Sequence, residues 1–465
     1  MARVQTIVFL SLVLDLFAFT IPLPLFPRII EWYTKREASD PTGFLSQTLH
    51  FVSYLRGFVY NSPVHSERWD VVLLGGLMGS VFSTLQFIVS PFIGSLSDKY
   101  GRKKILLITM IGNIASAIIW IQSTTFASYM LSRVVGGLSE GNVQLAIAIL
   151  SDVSTPAQRS STLAYVGIAF AICFCIGPPI GAYFASASFP HILSSVELNV
   201  YAVPATLTLV LLLVETAFIY VALPETRGKG PAVESSSGKG KATSKSTAIP
   251  PRPKTTVEYR LSTLARLRRQ HFLFLCLFSG VEFTLTFLTF DLFDWSNKQN
   301  GALIGSIGII SALLQGGYVR RAMAKTGEGK MARRGVHSCA LALVLLALLP
   351  NYPPATATRL LQGAAVCLAF TSATVVNSLT AAASLQCDEG GADPVTGKPT
   401  AEHPDLAKGK ALGRFRSRGQ LGRAIGPLLA CAMYWTFGPT LTYSVCAVAM
   451  FALAIGMRAA SKRVL

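Results

Sequence analysis

The eleven residues Gly94-Ser-Leu-Ser-Asp98-Lys-Tyr-Gly101-Arg102-Lys103-Lys104 stand between two apolar runs, 70–93 and 104–122, each long enough to cross a bilayer. Glycines at this spacing permit a tight reversal. Asp98 can accept charge-assisted hydrogen bonds or sit at a helix N-terminus, and the basic run holds the segment on one side of a membrane. The stretch therefore predicts two membrane helices joined by a short charged connection. A turn that only set topology would not need an aspartate and two glycines in these places.

The rest of the chain agrees. Of its 465 residues 51% are hydrophobic and only 14% charged, with a mean hydropathy of +0.49, too apolar for a soluble domain of ordinary proportions. Apolar windows at about 6–27, 70–93, 104–122, 126–150, 161–186, 200–223, 271–291, 301–319, 336–350, 355–385, 415–437 and 439–458 predict twelve spans. The ninth is short and runs into Pro350, Pro353 and Pro354. The first carries Asp15 in its middle, is followed by Pro22, Pro24 and Pro27, and lacks a small-residue cleavage site, so it reads as a span and not a signal peptide.

A net charge of +18 in a soluble protein would suggest nucleic acid; here it reads as topology. If the chain starts in the cytosol, 33 of the 41 Lys and Arg fall on the cytosolic side and 7 outside, with Arg133 inside a span, which predicts that both termini are cytosolic. Between Pro224 and His271 the composition turns to Gly, Ser, Lys and Pro. That segment reads as a flexible linker, 224–270, dividing a six-helix bundle at 1–223 from another at 271–465. Its end, Leu261, Leu264 and Leu267 among arginines, suits either a helix lying on anionic lipid or a solvated basic linker. The outer loop from Arg28 to Asp70 has Phe44, Leu45, Leu49, Val52 and Leu55 at near-helical spacing, which predicts an interfacial or capping helix.

Charges inside the spans point to function. Asp15, Arg133, Glu140, Glu215 and Glu282 each interrupt an apolar helix, where an ionised group costs ~2.5 to 3.5 kcal/mol or more unless it faces a wet cavity or a partner. Arg133 and Glu140 are seven residues apart, two turns along one helical face. Glu215, in a helix expected at the periphery, fits a structural pairing better than the others do. The eight cysteines form no CxxC pairs, no metal-ligand cluster or phosphate loop appears, and no nucleophile stands with a base, so an enzyme, a metal site and a cofactor are not expected.

The Gly94 to Lys104 stretch resembles motif A of the major facilitator superfamily at every key position. Leu14-Asp15 with Pro24 and Pro27, Arg133 with Gly136 and Gly137, and Gly177-Pro178-x-x-Gly181-Ala182 resemble signatures of its twelve-span drug:proton antiporters, with Cys173 and Ala182 where the last motif usually has glycine. Gly426-Pro427-x-x-Ala430 answers Gly177-Pro178 in the second half. The runs SLVLDLFAFT, GNV, SGVEFTLTFLT and RAIGPL resemble the eukaryotic tetracycline-transporter-like family.

The resemblance implies an all-α membrane protein of the major facilitator fold, twelve transmembrane helices in two six-helix bundles. It implies a secondary active transporter moving a small organic solute, an organic anion or drug-like amphiphile, by alternating access with proton antiport. Proton coupling would rest on Asp15, Arg133, Glu140 and Glu282; gating on Gly94, Asp98, Gly101, Arg102 and Lys103; bending on Gly177, Pro178 and Gly181; solute contact on Phe17, Phe19, Phe283 and Phe287. Asp15, buried in apolar surroundings, would favour its protonated form, and Arg133 would return it to the ionised one. The expected partners are a small-molecule substrate, protons and membrane lipid, with no nucleic acid and no cofactor, in the plasma membrane or an endomembrane. A non-transporting receptor or scaffold, docking through the linker and the loop from Gln386 to Ala411, and an uncoupled uniporter are the alternatives.

Overall fold

Gly101, with φ +104°, is the point at which the opening stretch reverses. The computed structural model describes residues 2–22, 25–37, 39–59, 66–185, 198–227, 256–295, 297–388 and 403–462, and its regular elements are all helical. In the first half α1 (Ala2–Thr20) is followed by two short helices, α2 (Phe26–Arg36) and α3 (Phe44–Val59), then by α4 (Ser66–Tyr100) and α5 (Arg102–Ile121). The fourth span is shared by α6 (Phe126–Ser139) and α7 (Asn142–Val153), and α8 (Arg159–Phe184) and α9 (Ala202–Ala222) complete the bundle. The second half holds α10 (Val257–Phe293), α11 (Asn297–Leu313), α12 (Arg320–Thr326), α13 (Glu328–Leu348), α14 (Pro354–Ser384) and α15 (Lys408–Lys462). A π-helical turn, Leu314–Val319, carries Gly316 and Gly317 between α11 and α12.

Among the described residues eleven segments are long and apolar enough to cross a membrane, and the last covers 51 residues. At 1.5 Å per residue that is about 77 Å, more than twice the ~30 Å hydrocarbon core. Gly438 (φ 79°, ψ 170°) interrupts it. The rings of Tyr434 and Tyr443 lie 6.3 Å apart, whereas nine residues of unbroken helix would separate their Cα atoms by about 13.5 Å. The chain therefore turns back at Gly438, and the spans number twelve.

Three boundaries differ from expectation. Helix α4 continues through Gly94 to Tyr100, so the charged stretch is mostly helix and only Gly101 serves as the turn. Leu96 and Ser97 keep helical geometry, and the helix runs on past Pro91 to Tyr100. Helix α10 begins at Val257, so the basic end of the linker is its first turns. Leu264 is buried, with Leu261 and Leu267 packed against the same core, so this stripe faces protein instead of lipid. The outer loop holds two helices, not one: Ile29, Ile30 and Tyr33 of α2 and Leu45 and Val52 of α3 pack with Trp120, Phe126 and Tyr129 into a separate apolar cluster. Tyr33 donates its hydroxyl to the Ser123 carbonyl at 2.8 Å, and Glu37 accepts the N–H of Phe126 at 2.6 Å, pinning this cap to the α5–α6 connection. Pro24, linker residues 228–255 and loop residues 389–402 lie outside the described residues.

Candidate functional site: a charged centre and a latch between two bundles

Helix α4 of the first bundle meets α15 of the second through backbone, because glycine stands on both sides. A Cβ on Gly94 would lie 2.1 Å from the Gly409 carbonyl oxygen, and one on Gly409 would lie 2.3 Å from that of Gly94. One turn on, Asp98 accepts the N–H of Gly409 through Oδ1 (2.9 Å) and that of Lys410 through Oδ2 (2.7 Å). These are unpaired donors of the first turn of α15, where the helix dipole also favours a negative charge. Arg102 ties the arrangement together: its guanidinium reaches Asp98 at 2.7 Å, Asp152 at 3.0 Å and the Ser97 hydroxyl at 2.6 Å. Asp152 also meets Lys408 at 3.4 Å. At the same end Ser151 and Ser384 share a hydrogen bond of 2.8 Å, and Arg159 reaches Ser384 as well, so α7 and α8 are joined to α14.

Lys103 has another part. Its N–H and that of Arg102 both go to the carboxylate of Glu225, at 3.1 and 2.9 Å, which caps α5 from the Leu223-Pro224-Glu225-Thr226 segment after α9. A Cβ on Gly101 would come 2.5 Å from Glu225 Oε2. Gly101 is thus required twice, by its positive φ and by the capping carboxylate. Burial alone would raise the Glu225 carboxyl, but the N–H groups of Arg227, Arg102, Lys103 and Thr226 hold it below its ordinary 4.5.

The fourth span breaks in its middle. Helix α6 ends at Ser139, Glu140 takes an extended conformation (φ −71°, ψ 97°), and α7 starts at Asn142. Gly141 is pressed against Ile93 and Thr109, each 3.0 Å from where a Cβ would stand. The break separates Arg133 from Glu140, which do not share one continuous helical face. Asn142, at the start of α7, donates its amide to Asp15 Oδ1 at 2.6 Å and accepts the Thr109 hydroxyl at 3.2 Å. Asp15 itself is only 4% exposed.

The cation facing Asp15 is Arg416, not Arg133. Arg416, on α15 of the opposite bundle, interacts electrostatically with both Glu140 and Asp15. Arg423, two turns further along α15, acts on Arg416 and on Glu282 of α10. Arg416 and Arg423 lie about 12 and 22 Å along α15 from Lys408. Glu140 and Arg416 are half-buried and Glu282 and Arg423 exposed, all within spans. Ionised groups within spans face partners or water rather than lipid, and here each carboxyl has an arginine of α15 acting on it. Arg133 instead lies over the rings of Trp120 (5.5 Å) and Tyr129 (5.4 Å).

The remaining expected residues are structural neighbours of α1 and α10. A Cβ on Gly177 would lie 1.9 Å from Thr20 Oγ1 and one on Gly181 2.0 Å from the Ile21 carbonyl oxygen, so the Gly177-Pro178 helix α8 is closely seated on the end of α1. Phe17 packs against the main core, and Phe19 lies 6.2 Å from Phe82 and 6.3 Å from Phe174. Phe283 contacts Phe287 at 5.7 Å, and Phe287 contacts Trp435 at 6.1 Å. These rings form two groups, one in each bundle. Sequence reasoning missed Arg416 and Arg423 by counting them as loop charges. Their seven-residue spacing inside the 415–437 window was the available signal.

A sequence profile of the Major Facilitator Superfamily matches residues 8–398. The chain is 34% identical to "Major facilitator superfamily domain-containing protein 10" of Bos taurus over 469 aligned positions, covering 97% of this chain and 91% of that protein. The crystal structure of the human organic anion transporter MFSD10 (TETRAN) superposes with a TM-score of 0.78 at 30% identity, covering 98% of this chain and 99% of that one. The proton:xylose symporter XylE, at 13% identity, shares the fold alone, with a TM-score of 0.65 over 98% of this chain and 94% of that one. A multi-pass membrane transporter with its two six-helix bundles joined through Asp98 and α15, the chain belongs to the major facilitator superfamily.

Proposed function

We propose that the protein carries a small organic anion across the membrane by alternating access, coupled to protons through Asp15 and Glu140. The observation that carries this reading is Arg416, which acts electrostatically from the second bundle on two carboxyls of the first. An anion held by Arg416 and Arg423 withdraws that positive charge from Asp15 and Glu140, and a buried carboxylate deprived of its cation holds a proton instead. Anion and proton then occupy the centre together. This gives a sign to the coupling: an anion moves with the proton, whereas a cationic solute drawn to the carboxylates would exchange against it, as the antiporter resemblance implies. The relative titled an organic anion transporter supports the anionic class. The Asp98 latch would close the end of the molecule that the distribution of Lys and Arg places in the cytosol, with both termini there.

Uptake of fluorescent organic anions into sealed proteoliposomes, with acid imposed first on one side and then on the other, tests the reading. Acceleration when acid and anion share a side supports it, and acceleration from the opposite side replaces it with exchange. Flux indifferent to pH makes the protein a uniporter, and no flux with any of the anions sinks transport of this class.

A further inference from the structure

Glu215, in the middle of α9, takes no part in that cycle. It is 1% exposed, on a helix packed along α1 and α5. Its Oε1 accepts the Ser11 hydroxyl at 2.8 Å, while Oε2 is buried with no hydrogen-bond partner. A carboxylate ionised here would hold an unsatisfied charged oxygen in an apolar interior.

The charges that face Glu215 are both negative: Asp15 from α1 and Glu140 from the break before α7. Arg3 stands at the exposed start of α1, twelve residues before Asp15, and the other cations on the packed helices are engaged elsewhere. Arg102 is held by Asp98 and Asp152, Lys103 donates to the Tyr220 carbonyl, Lys104 lies over the Tyr100 ring, and Arg159 of α8 is bonded to Ser154. Cys173 of α8 donates its thiol to the Val13 carbonyl. Arg416 acts on Asp15 and Glu140, while the charges acting on Glu215 are those two carboxyls. All three ionised beside one guanidinium would leave an excess of negative charge around the buried Glu215, so the set must hold protons.

A narrow cavity adjoins Glu215 and reaches Asn142. Ser11, Asn142 and Glu215 all line it, between Leu12, Leu106 and Ile149, with room for about one water. Asn142 is the residue that binds Asp15, and Ser11 precedes Asp15 by one turn of α1.

We propose that Glu215 is a second proton-binding site, protonated at Oε2 in the cavity that it shares with Asn142, the partner of Asp15. A proton can then stay in the first bundle while Asp15 is ionised beside Arg416. This rests on Asp15 being a proton carrier.

Infrared spectroscopy of the full-length protein in lipid bilayers, titrated between about pH 5 and about pH 9, reads the C=O stretch of protonated carboxyls directly. Glu215→Gln should remove one such band at neutral pH and slow pH-driven flux at least about tenfold. Should Glu215→Gln fold poorly, Ser11→Ala keeps the carboxyl and removes its donor, and the Glu215 band should shift. An unchanged set of bands in Glu215→Gln, an unshifted band in Ser11→Ala, or a lost band with undiminished pH-driven flux overturns the proposal. The band does not depend on transport, so failure of Asp15 as carrier is seen separately, as full pH-driven flux in Asp15→Asn.

Discussion

Asp98 divides its carboxylate between two consecutive residues of the opposite bundle, Oδ1 taking the N–H of Gly409 and Oδ2 that of Lys410. The first expected outcome follows from this. Asp98→Asn keeps one acceptor oxygen and loses the charge at the helix terminus, an interaction worth ~0.3 to 2 kcal/mol, so the latched state should fall by about 2-fold to about 30-fold. A Ser151→Cys and Ser384→Cys pair, whose parent hydroxyls are 2.8 Å apart, reports that state by its rate of cross-linking. Cross-linking equal to that of the parent would show that Asp98 does not hold the bundles together.

Steric closure can be tested apart from charge. Gly94→Ala puts a methyl group 2.1 Å from the Gly409 carbonyl oxygen, and a backbone atom cannot rotate away. The variant should fold and bind solute, yet give almost no cross-link in the same assay. Gly79→Ala, on the same helix with nothing within 4 Å of its Cβ, is the control and should cross-link normally.

Glu225 provides a pH dependence. Its carboxyl lies below the ordinary 4.5 in the folded protein, so its contribution to stability is complete above that value and disappears as pH falls through the lowered one. The difference in Tm between the parent and Glu225→Gln should therefore be constant from neutral pH down to about pH 5 and close below about pH 4. A difference that already shrinks above pH 5 would mean that the cap does not depend on the ionised form.

The two candidate arginines should behave differently. Arg416→Gln removes the cation that faces Asp15 and Glu140, so those groups retain protons to higher pH and the flux profile should move upward. Arg133→Gln loses its contacts with Trp120 and Tyr129, worth ~0.5 to 2 kcal/mol of stability, and should leave the flux profile in place. Flux against pH in proteoliposomes for both variants decides between them, and a shift confined to Arg133→Gln would reverse the assignment.

Span positions, the importance of the Asp98 stretch and the burial of Asp15 were legible because each rests on local chemistry: an apolar run, a charge beside glycines, an acid in a hydrophobic helix. The interruption at Glu140 was not. Residues 126–150 form one apolar window despite Arg133 and Glu140, and the break coincides with the close approach of Ile93 and Thr109 to Gly141, a tertiary contact. Arg416 was hidden for a related reason. It stands at the very start of the 415–437 window and reads as a loop charge until α15 proves to start at Lys408 and carry it into the molecule. Glu225 closed a familiar segment, but that it caps α5, more than a hundred residues earlier, depends on how α5 and α9 pack.

Gly438 makes the latch mechanically sensitive. Spans eleven and twelve are joined by one non-helical residue, so span eleven can tilt about it, with Lys408 at its far end. The arm is about 45 Å long, and a rotation of about two degrees displaces its tip by about 1.5 Å, beyond the reach of a hydrogen bond. Release of Asp98 therefore needs no bending of any helix. A tilt too small to disturb packing near the pivot is enough to uncouple the far end.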